Sequence, residues 1–168
     1  ATMTAKNSSN LLFEPYTIRT VGGVRVGIVA VCDTNAYIPD INRVFDYSIL
    51  PLDKALDPII GKMKGTVDYI IVLSQMDEKA DAKLLARYPA VDLVIEGYGN
   101  SALEKPIASG RGFIVAPGSR GQYVGLLTLE KSGTSAARVT RSELIEVLDI
   151  PADKKADEII RAYYRSAR

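Results

Sequence analysis

The 168-residue sequence contains no histidine and no tryptophan, and it has a single cysteine, Cys32. The lack of histidine removes the commonest general base and the commonest side-chain ligand of transition metals. One cysteine cannot form an internal disulfide, and without histidine it cannot build a Cys–His nucleophile or a thiolate metal site. Because Cys32 lies in an apolar run, we expect it to be a buried, small hydrophobic residue.

Long apolar runs and a strong net charge are also missing. No run approaches the roughly 18 to 20 residues that a membrane-spanning helix needs. The 21 basic and 20 acidic side chains give a net charge of +1. Such a balance argues against binding to nucleic acid or to a membrane surface through bulk charge. The 47% of hydrophobic residues indicates a globular chain with a real core, and the length fits one domain.

The clearest pattern lies in residues 67–100. Two continuous apolar runs, 67–73 and 91–95, predict strands that are covered on both faces, as in a parallel α/β sheet. Between them, 78–88 predicts an amphipathic helix that is long enough for a right-handed crossover. A polar corner follows each strand: Ser74–Asp77 is the first corner and Glu96–Asn100 is the second. Because ligands of open α/β sheets bind at the carboxyl ends of strands, these two corners are the first candidates for a site.

The chain before this stretch predicts a hairpin, a loop and a helix. Gly22 and Gly23 separate two strand-like runs, of which the first alternates like an edge strand and the second is apolar and central. Gly27 in the second run indicates close packing or a bulge. Residues 33–48 form a long loop. A helix over 51–65 follows, and we expect Pro58 to shorten or kink its first turn.

After the second corner, the pattern predicts a loop over 101–111, a strand over 112–116, a tight turn over 117–121, strands over 122–130 and 137–148, and a helix over 152–165. The expected fold is α/β, with a mixed sheet and flanking helices. We expect three parts in the chain: a disordered lead-in (1–9), an α/β domain (10–150) and a C-terminal helix packed on that domain (151–168).

Four segments in this order resemble the later half of the calcineurin-like metallophosphoesterase domain of bacterial 5′-nucleotidases. They are PYTIRTVGGVRVGIVAVCDT, VDYIIVLSQMDEKADAKLLA, VDLVIEGYGN and FIVAPGSRGQYVGLLTLE. The resemblance covers about residues 10–130 and implies part of a four-layer αββα sandwich. Because that family is largely exported, it also implies a periplasmic or extracellular location.

The resemblance further implies two metal ions that activate a water and clamp a phosphate. The family places histidine ligands in the two corners, but this chain has Gln75 in the first corner and Tyr98 and Asn100 in the second. The metal-binding motifs of the family's early half are absent from the sequence. Amide oxygens and a neutral phenol are weak substitutes for imidazole. We therefore expect no catalytic residue, no metal and no cofactor, whereas the ancestral site would hold two divalent ions.

Other roles stay open for the polar residues near the strand ends. The three residues that replace histidines either satisfy backbone groups or hydrogen-bond a ligand. Asp33, Asn35 and Asp77 either cap and turn the chain or hold a Mg²⁺ or Ca²⁺ ion through their oxygens, with Asp77 well placed as a helix cap. Arg120, in the PGSRG turn, either shapes a hairpin or binds an anion.

The predicted function is that of a non-catalytic, metallophosphoesterase-like domain that serves as a binding or assembly module. An incomplete sandwich exposes a sheet face and an edge strand, so we expect self-association or docking to a missing N-terminal half or another protein. The alternative is a metal-dependent phosphoesterase acting on phosphate monoesters, with the rest of its site supplied elsewhere. A third hypothesis is a small-molecule or anion-binding module that uses loop 33–48 and the corners.

Overall fold

The computed structural model describes residues 2–5, 8, 10–32, 47–99, 101–148 and 151–166. These residues form ten strands and three helices. In chain order they are β1 (Met3–Ala5), β2 (Thr17–Val21), β3 (Val24–Cys32), β4 (Tyr47–Ile49), α1 (Leu52–Met63), β5 (Tyr69–Gln75), α2 (Glu78–Arg87), β6 (Leu93–Glu96), β7 (Ile107–Ser109), β8 (Gly112–Val115), β9 (Tyr123–Glu130), β10 (Arg138–Glu146) and α3 (Lys154–Ser166).

The centre of the molecule is a six-stranded sheet in the order β2-β3-β5-β6-β8-β7. Strands β3, β5, β6 and β8 are parallel, and the two edge strands β2 and β7 are antiparallel to their neighbours. The predicted mixed α/β sheet is therefore confirmed. Gly22 and Gly23, with φ of 57° and 84°, form the turn of the β2–β3 hairpin. Strand β7 was missed, because its three residues carry too short a pattern within the predicted loop.

Helices α1 and α2 cover one face of this sheet and form the core with it. Successive side chains of a strand point to opposite faces. In β5, Ile70, Val72 and Ser74 are buried on the helical side. The close packing predicted at Gly27 is also present, because a Cβ there would lie 2.5 Å from Met63 Sδ in α1. The hydrophobic core between the helices and the sheet consists of Val29, Val31, Leu56, Ile59, Ile60, Met63, Ile70, Val72, Met76, Leu84, Leu85, Tyr88, Val91, Val94 and Ile114.

Residues 2–5 are more ordered than expected. Strand β1 pairs antiparallel with β4, and both Thr2 and Thr4 are about 1% exposed. The Thr2 hydroxyl oxygen accepts a hydrogen bond of 3.1 Å from the Cys32 amide, which joins this segment to the end of β3. The prediction of a disordered lead-in is wrong for residues 2–5, because β4 supplies backbone partners that a short polar sequence does not reveal. Cys32 itself is only partly buried.

Helix α1 also differs from expectation. It begins at Leu52, with Pro51 at the N-cap position, so its first turn is not shortened. Pro58 lies inside the helix, where its missing N–H leaves the Lys54 carbonyl without its intrahelical donor. Both residues are exposed, so water can satisfy that carbonyl. The apolar face formed by Leu56, Ile59, Ile60 and Met63 is buried, which favours the helix despite the proline.

The β9–β10 hairpin lies on the other face of the sheet, the one that points away from the helices. The Tyr69 hydroxyl, at the start of β5, donates a 3.3 Å hydrogen bond to the Leu129 carbonyl. The Lys131 ammonium lies 2.7 Å from Asp92 Oδ1 and 2.9 Å from the Asp68 carbonyl. These contacts hold the hairpin at the amino ends of β5 and β6. Toward the carboxyl end the face is open, and Leu73 is 42% exposed.

The C-terminal helix α3 forms where it was predicted, but it buries none of its residues. Its Asp153 side chain accepts a 2.8 Å hydrogen bond from the Ala156 amide, and Arg161 pairs with Asp157 one turn away. These local contacts stabilise the helix without tertiary packing. The predicted packing on the α/β domain is thus not observed, and Ile159 and Tyr163 are 62% and 66% exposed. No helix in the described part of the chain is long and apolar enough to cross a membrane.

Candidate functional site

The two polar corners lie side by side, as their positions at the ends of parallel strands predict. In the β5–β6 register, Ser74 is opposite Glu96. The Gly97 amide donates a 2.8 Å hydrogen bond to the Ser74 carbonyl, so the second corner is joined directly to the first. This edge of the sheet is therefore the candidate functional site.

Three residues stand where the family that the sequence resembles has histidines, and the structure describes two of them, Gln75 and Tyr98. Gln75 is exposed at the end of β5, and Tyr98 is 47% exposed. Neither side chain makes a hydrogen bond to another described residue. Asn100 lies outside the described residues, as do Asp33 and Asn35, so their predicted roles remain predictions.

Asp77 has a local structural role, whereas the two roles predicted for Arg120 remain predictions. The Asp77 side chain accepts a 2.8 Å hydrogen bond from the Ala80 amide, which makes it the N-cap of α2, the role that the sequence favoured. Arg120 is exposed in the turn between β8 and β9, with a positive φ of 59° between Gly118 and Gly121. Its turn is joined to the segment that follows the second corner by the bridge between Pro117 and Ala102. The Arg120 side chain makes no hydrogen bond to the described residues.

The candidate site contains a buried polar cluster that was not predicted from the sequence. The Ser74 hydroxyl donates a 2.6 Å hydrogen bond to Asp81 Oδ1 and accepts one of 3.1 Å from the Met76 amide. Asp81, in α2, is 0% exposed, and no described residue donates to its second oxygen, Oδ2. Burial raises the pKa of Asp81 to about 7, against the opposing effect of the Ser74 hydrogen bond, and the negative charges of Glu96 and Asp77 add to the rise.

Glu96 is the third member of this cluster and is only 9% exposed. Burial raises its pKa, while a hydrogen bond from the Gly99 amide acts in the opposite direction. A Cβ at position 99 would lie 2.6 Å from Glu96 Oε1, so glycine allows the carboxylate to fold back onto its own corner. Glu96 is therefore held by the second corner and does not point into open solvent.

The helical pattern contained a signal for Asp81. Residues three, four and seven positions apart lie on one face of a helix, and Leu84, Leu85 and Tyr88 stand in that relation to Asp81. All four are buried. A carboxylate on the apolar face of a predicted helix is unusual enough to mark a candidate polar cluster.

The described residues do not fit a two-metal centre. They contain no group of three or more His, Cys, Asp or Glu side chains placed to hold a metal ion. Asp77 is used as a helix cap, and Asp81 and Glu96 accept hydrogen bonds from Ser74 and Gly99. A bridged pair of divalent ions needs several anionic or imidazole donors that converge on one point. The described corner residues offer no such set.

Gln75 also borders a groove of about 500 Å³ on the face of the sheet that points away from the helices. The groove lies between the strands and the segment that leads into β2. Its walls are largely apolar, and they include Phe13, Tyr16, Ile28 and Leu73. The exposed side of the candidate site is thus continuous with an apolar surface, not with a charged cleft.

This arrangement of sheet, helices and corners is an α/β fold that is also found in solved structures of other proteins. Its structure is similar to that of the sulfate thiohydrolase SoxB from Thermus thermophilus, with a TM-score of 0.84 and 20% sequence identity over 96% of this chain. It is also similar to a 5′-nucleotidase precursor from the same organism, with a TM-score of 0.75, 22% identity and 99% coverage. The Haemophilus influenzae NAD nucleotidase NadN gives a TM-score of 0.75 at 15% identity and 99% coverage.

These similarities confirm the predicted resemblance at the level of fold. The chain spans 30% of SoxB, 37% of the 5′-nucleotidase precursor and 44% of NadN, so it corresponds to only part of each. No protein-family model and no curated protein matches the chain in sequence.

Proposed function

We propose that this chain is a non-catalytic, metallophosphoesterase-like domain that acts as a binding or assembly module. The observation that carries this proposal is the uncovered part of the sheet face opposite α1 and α2, which we call the open face. We further propose that the domain holds no metal or other cofactor and works in the periplasm or outside the cell. The similarity to a protein described as a 5′-nucleotidase precursor supports the proposed location.

The exposure of the open face is not a simple edge effect. Leu73 is 42% exposed although β5 has a paired neighbour on each side, β3 and β6. The adjoining groove adds further apolar surface from Phe13 and Tyr16. Contiguous apolar surface of this kind marks interaction sites in soluble proteins.

The proposed occupant of the open face is another polypeptide. The structures that share this fold contain about two to three times as much chain, so further polypeptide accompanies this fold in those proteins. We propose that a polypeptide of this kind covers the open face. In the isolated chain the same surface is available to a second copy. The proposal therefore includes self-association of the isolated chain.

We expect the purified chain to form dimers or larger species at tens of micromolar, as measured by sedimentation velocity. Leu73→Glu places a charge in the middle of the open face and should shift the chain to a monomer. Val21→Glu is the matched control, because Val21 is 70% exposed at the β2–β3 turn, away from the open face, and it should leave the association unchanged. A wild-type chain that stays monomeric at 200 µM would contradict self-association.

The alternative function, a metal-dependent phosphoesterase, is favoured by the fold and by the likeness to nucleotidases. Its test is the hydrolysis of a chromogenic phosphomonoester with and without added Mn²⁺, together with metal analysis of the purified chain. We expect no metal-dependent turnover above the protein-free background, because the described corner residues lack a converging donor set. Turnover that depends on Mn²⁺ and is lost in Asp81→Asn or Glu96→Gln would overturn the non-catalytic proposal.

A further inference from the structure

The buried carboxyl group of Asp81 lies where the two corners and helix α2 meet. Its Oδ1 is 2.6 Å from the Ser74 hydroxyl, and the same hydroxyl accepts from the Met76 amide in the first corner. The Ser74 carbonyl accepts from the Gly97 amide in the second corner. A change at Asp81 therefore reaches both corners through one residue, Ser74.

The surroundings of Asp81 disfavour a negative charge. Glu96 on β6 and Asp77 in the first corner both act on Asp81 through their own negative charge, and Glu78 acts on Glu96. Strands β7 and β8 also contact α2, and they contain no titratable side chain. On α1, Asp57 pairs with Arg87 and Tyr88 at the far end of α2, and Asp53 acts on Arg87 through its negative charge.

A second unusual feature of the Asp81 carboxyl is the environment of its oxygen Oδ2. It is buried, and no described residue donates a hydrogen bond to it. A buried, ionised oxygen without a donor carries a large desolvation penalty, whereas a protonated carboxyl in the same place is neutral. Both the missing donor at Oδ2 and the neighbouring negative charges thus favour the protonated, neutral form of Asp81.

We propose that Asp81 is a proton-operated lock on the two corners, closed when the carboxyl carries a proton and opened when it loses that proton to solvent. This regulation goes beyond the proposed function and does not depend on it. In the closed state the proton is bound to Oδ2, and Oδ1 accepts from Ser74. Loss of the proton breaks the O–H bond, and the electron pair stays on Asp81. The charged oxygen then requires water, which it reaches when the first turn of α2 moves away from Ser74.

The direction of the pH dependence follows from the difference between the two states. In the closed state the pKa of Asp81 is raised to about 7, and in an open, hydrated state it returns toward its ordinary value near 3.8. Between these two values the closed state binds more protons than the open state. The opening constant therefore rises by up to about tenfold per pH unit through this window and levels off above pH 7.

Two measurements on the intact chain test the lock. The first is a carbon-13 NMR titration of the aspartate carboxyl groups from pH 4 to 9, in which one resonance should titrate near pH 7 and be missing in Asp81→Asn. The second is hydrogen exchange at the Met76 and Gly97 amides, corrected for intrinsic exchange rates. We expect the opening constant at both amides to rise at least tenfold between pH 5 and 7 in the wild type and to stay flat in Asp81→Asn.

Two further variants separate the lock from general effects of charge or folding. Glu104→Gln removes an exposed carboxyl that makes no hydrogen bond or ion pair with the described residues, and it should leave both measurements unchanged. Ser74→Ala removes the hydrogen bond that lowers the pKa of Asp81, so the titration midpoint should move upward. A titration midpoint of Asp81 below pH 5 in the wild type would overturn the proposal, and so would pH-independent opening at both amides. Both measurements are made on the wild type, so they test the proposal even if a variant does not fold.

Discussion

Replacing Asp92 with alanine should lower the free energy of unfolding by about 3 to 5 kcal/mol. Asp92 is 4% exposed, and its two oxygens lie 2.7 and 2.9 Å from the Lys131 ammonium. Asp92 Oδ2 also accepts a 2.9 Å hydrogen bond from the Ile70 amide. Alanine would leave a largely buried ammonium without its counter-charge and the Ile70 amide without its acceptor. Urea unfolding followed by circular dichroism measures the change.

A neighbouring ion pair provides the matched control. Glu130, next to Lys131, pairs with Arg138 at 2.6 Å, but the two side chains are 58% and 73% exposed. Glu130→Ala should therefore cost less than about 1 kcal/mol. Asp92→Leu combined with Lys131→Met should recover most of the loss, because an apolar pair leaves no buried charge without a partner. Equal destabilisation by Asp92→Ala and Glu130→Ala would show that the Lys131 contact does not hold the hairpin.

Replacing Gly112 with alanine should cost about 1 to 3 kcal/mol, because its packing leaves no room for a methyl group. A Cβ at this position would lie 2.8 Å from the Val91 carbonyl oxygen and 2.8 Å from Leu85 Cδ2. The Leu85 side chain can move, but the Val91 carbonyl belongs to the backbone that leads into β6. The helix and the sheet would have to separate locally, which thermal or urea unfolding would detect.

Gly61 is the matched control for Gly112. It lies inside α1, and nothing approaches a Cβ there within 4 Å. Gly61→Ala should therefore stabilise the chain by about 0.5 to 1 kcal/mol through the higher helix propensity of alanine. If both substitutions changed stability in the same direction, close packing at Gly112 would not be the cause.

Much of the fold could be predicted because its elements are long and strongly patterned. The apolar runs that became β3 and β5 and the glycine pair at 22 and 23 each carry a local signal of a strand or a turn. The N-cap at Asp77 is equally local, since it depends on residues three positions apart. The short strands β1, β4 and β7 were missed, because three residues form a strand only when a partner strand supplies their hydrogen bonds.

The position of the candidate site at the strand ends was predicted, but the buried residues that form it were not. The corners were expected at the ends of two parallel strands, and Gln75 and Tyr98 lie there. The buried polar residues in that place are instead Ser74, Asp81 and Glu96. Their burial depends on how α2 packs across β5 and β6, and a linear pattern contains this only as the helical spacing of Asp81 from Leu84 and Leu85.

The order and periodicity of the apolar runs were sufficient to establish the α/β class, the parallel core strands and the position of the corners, because those features depend on neighbours within a few residues. The lack of histidine was equally sufficient to exclude an imidazole-based metal centre in this chain. Only the tertiary structure revealed the Lys131–Asp92 contact, the burial of Asp81 and the position of the open face around Leu73. Each of these depends on residues far apart in sequence, whose burial is set by the packing of whole elements and not by the pattern of any one of them.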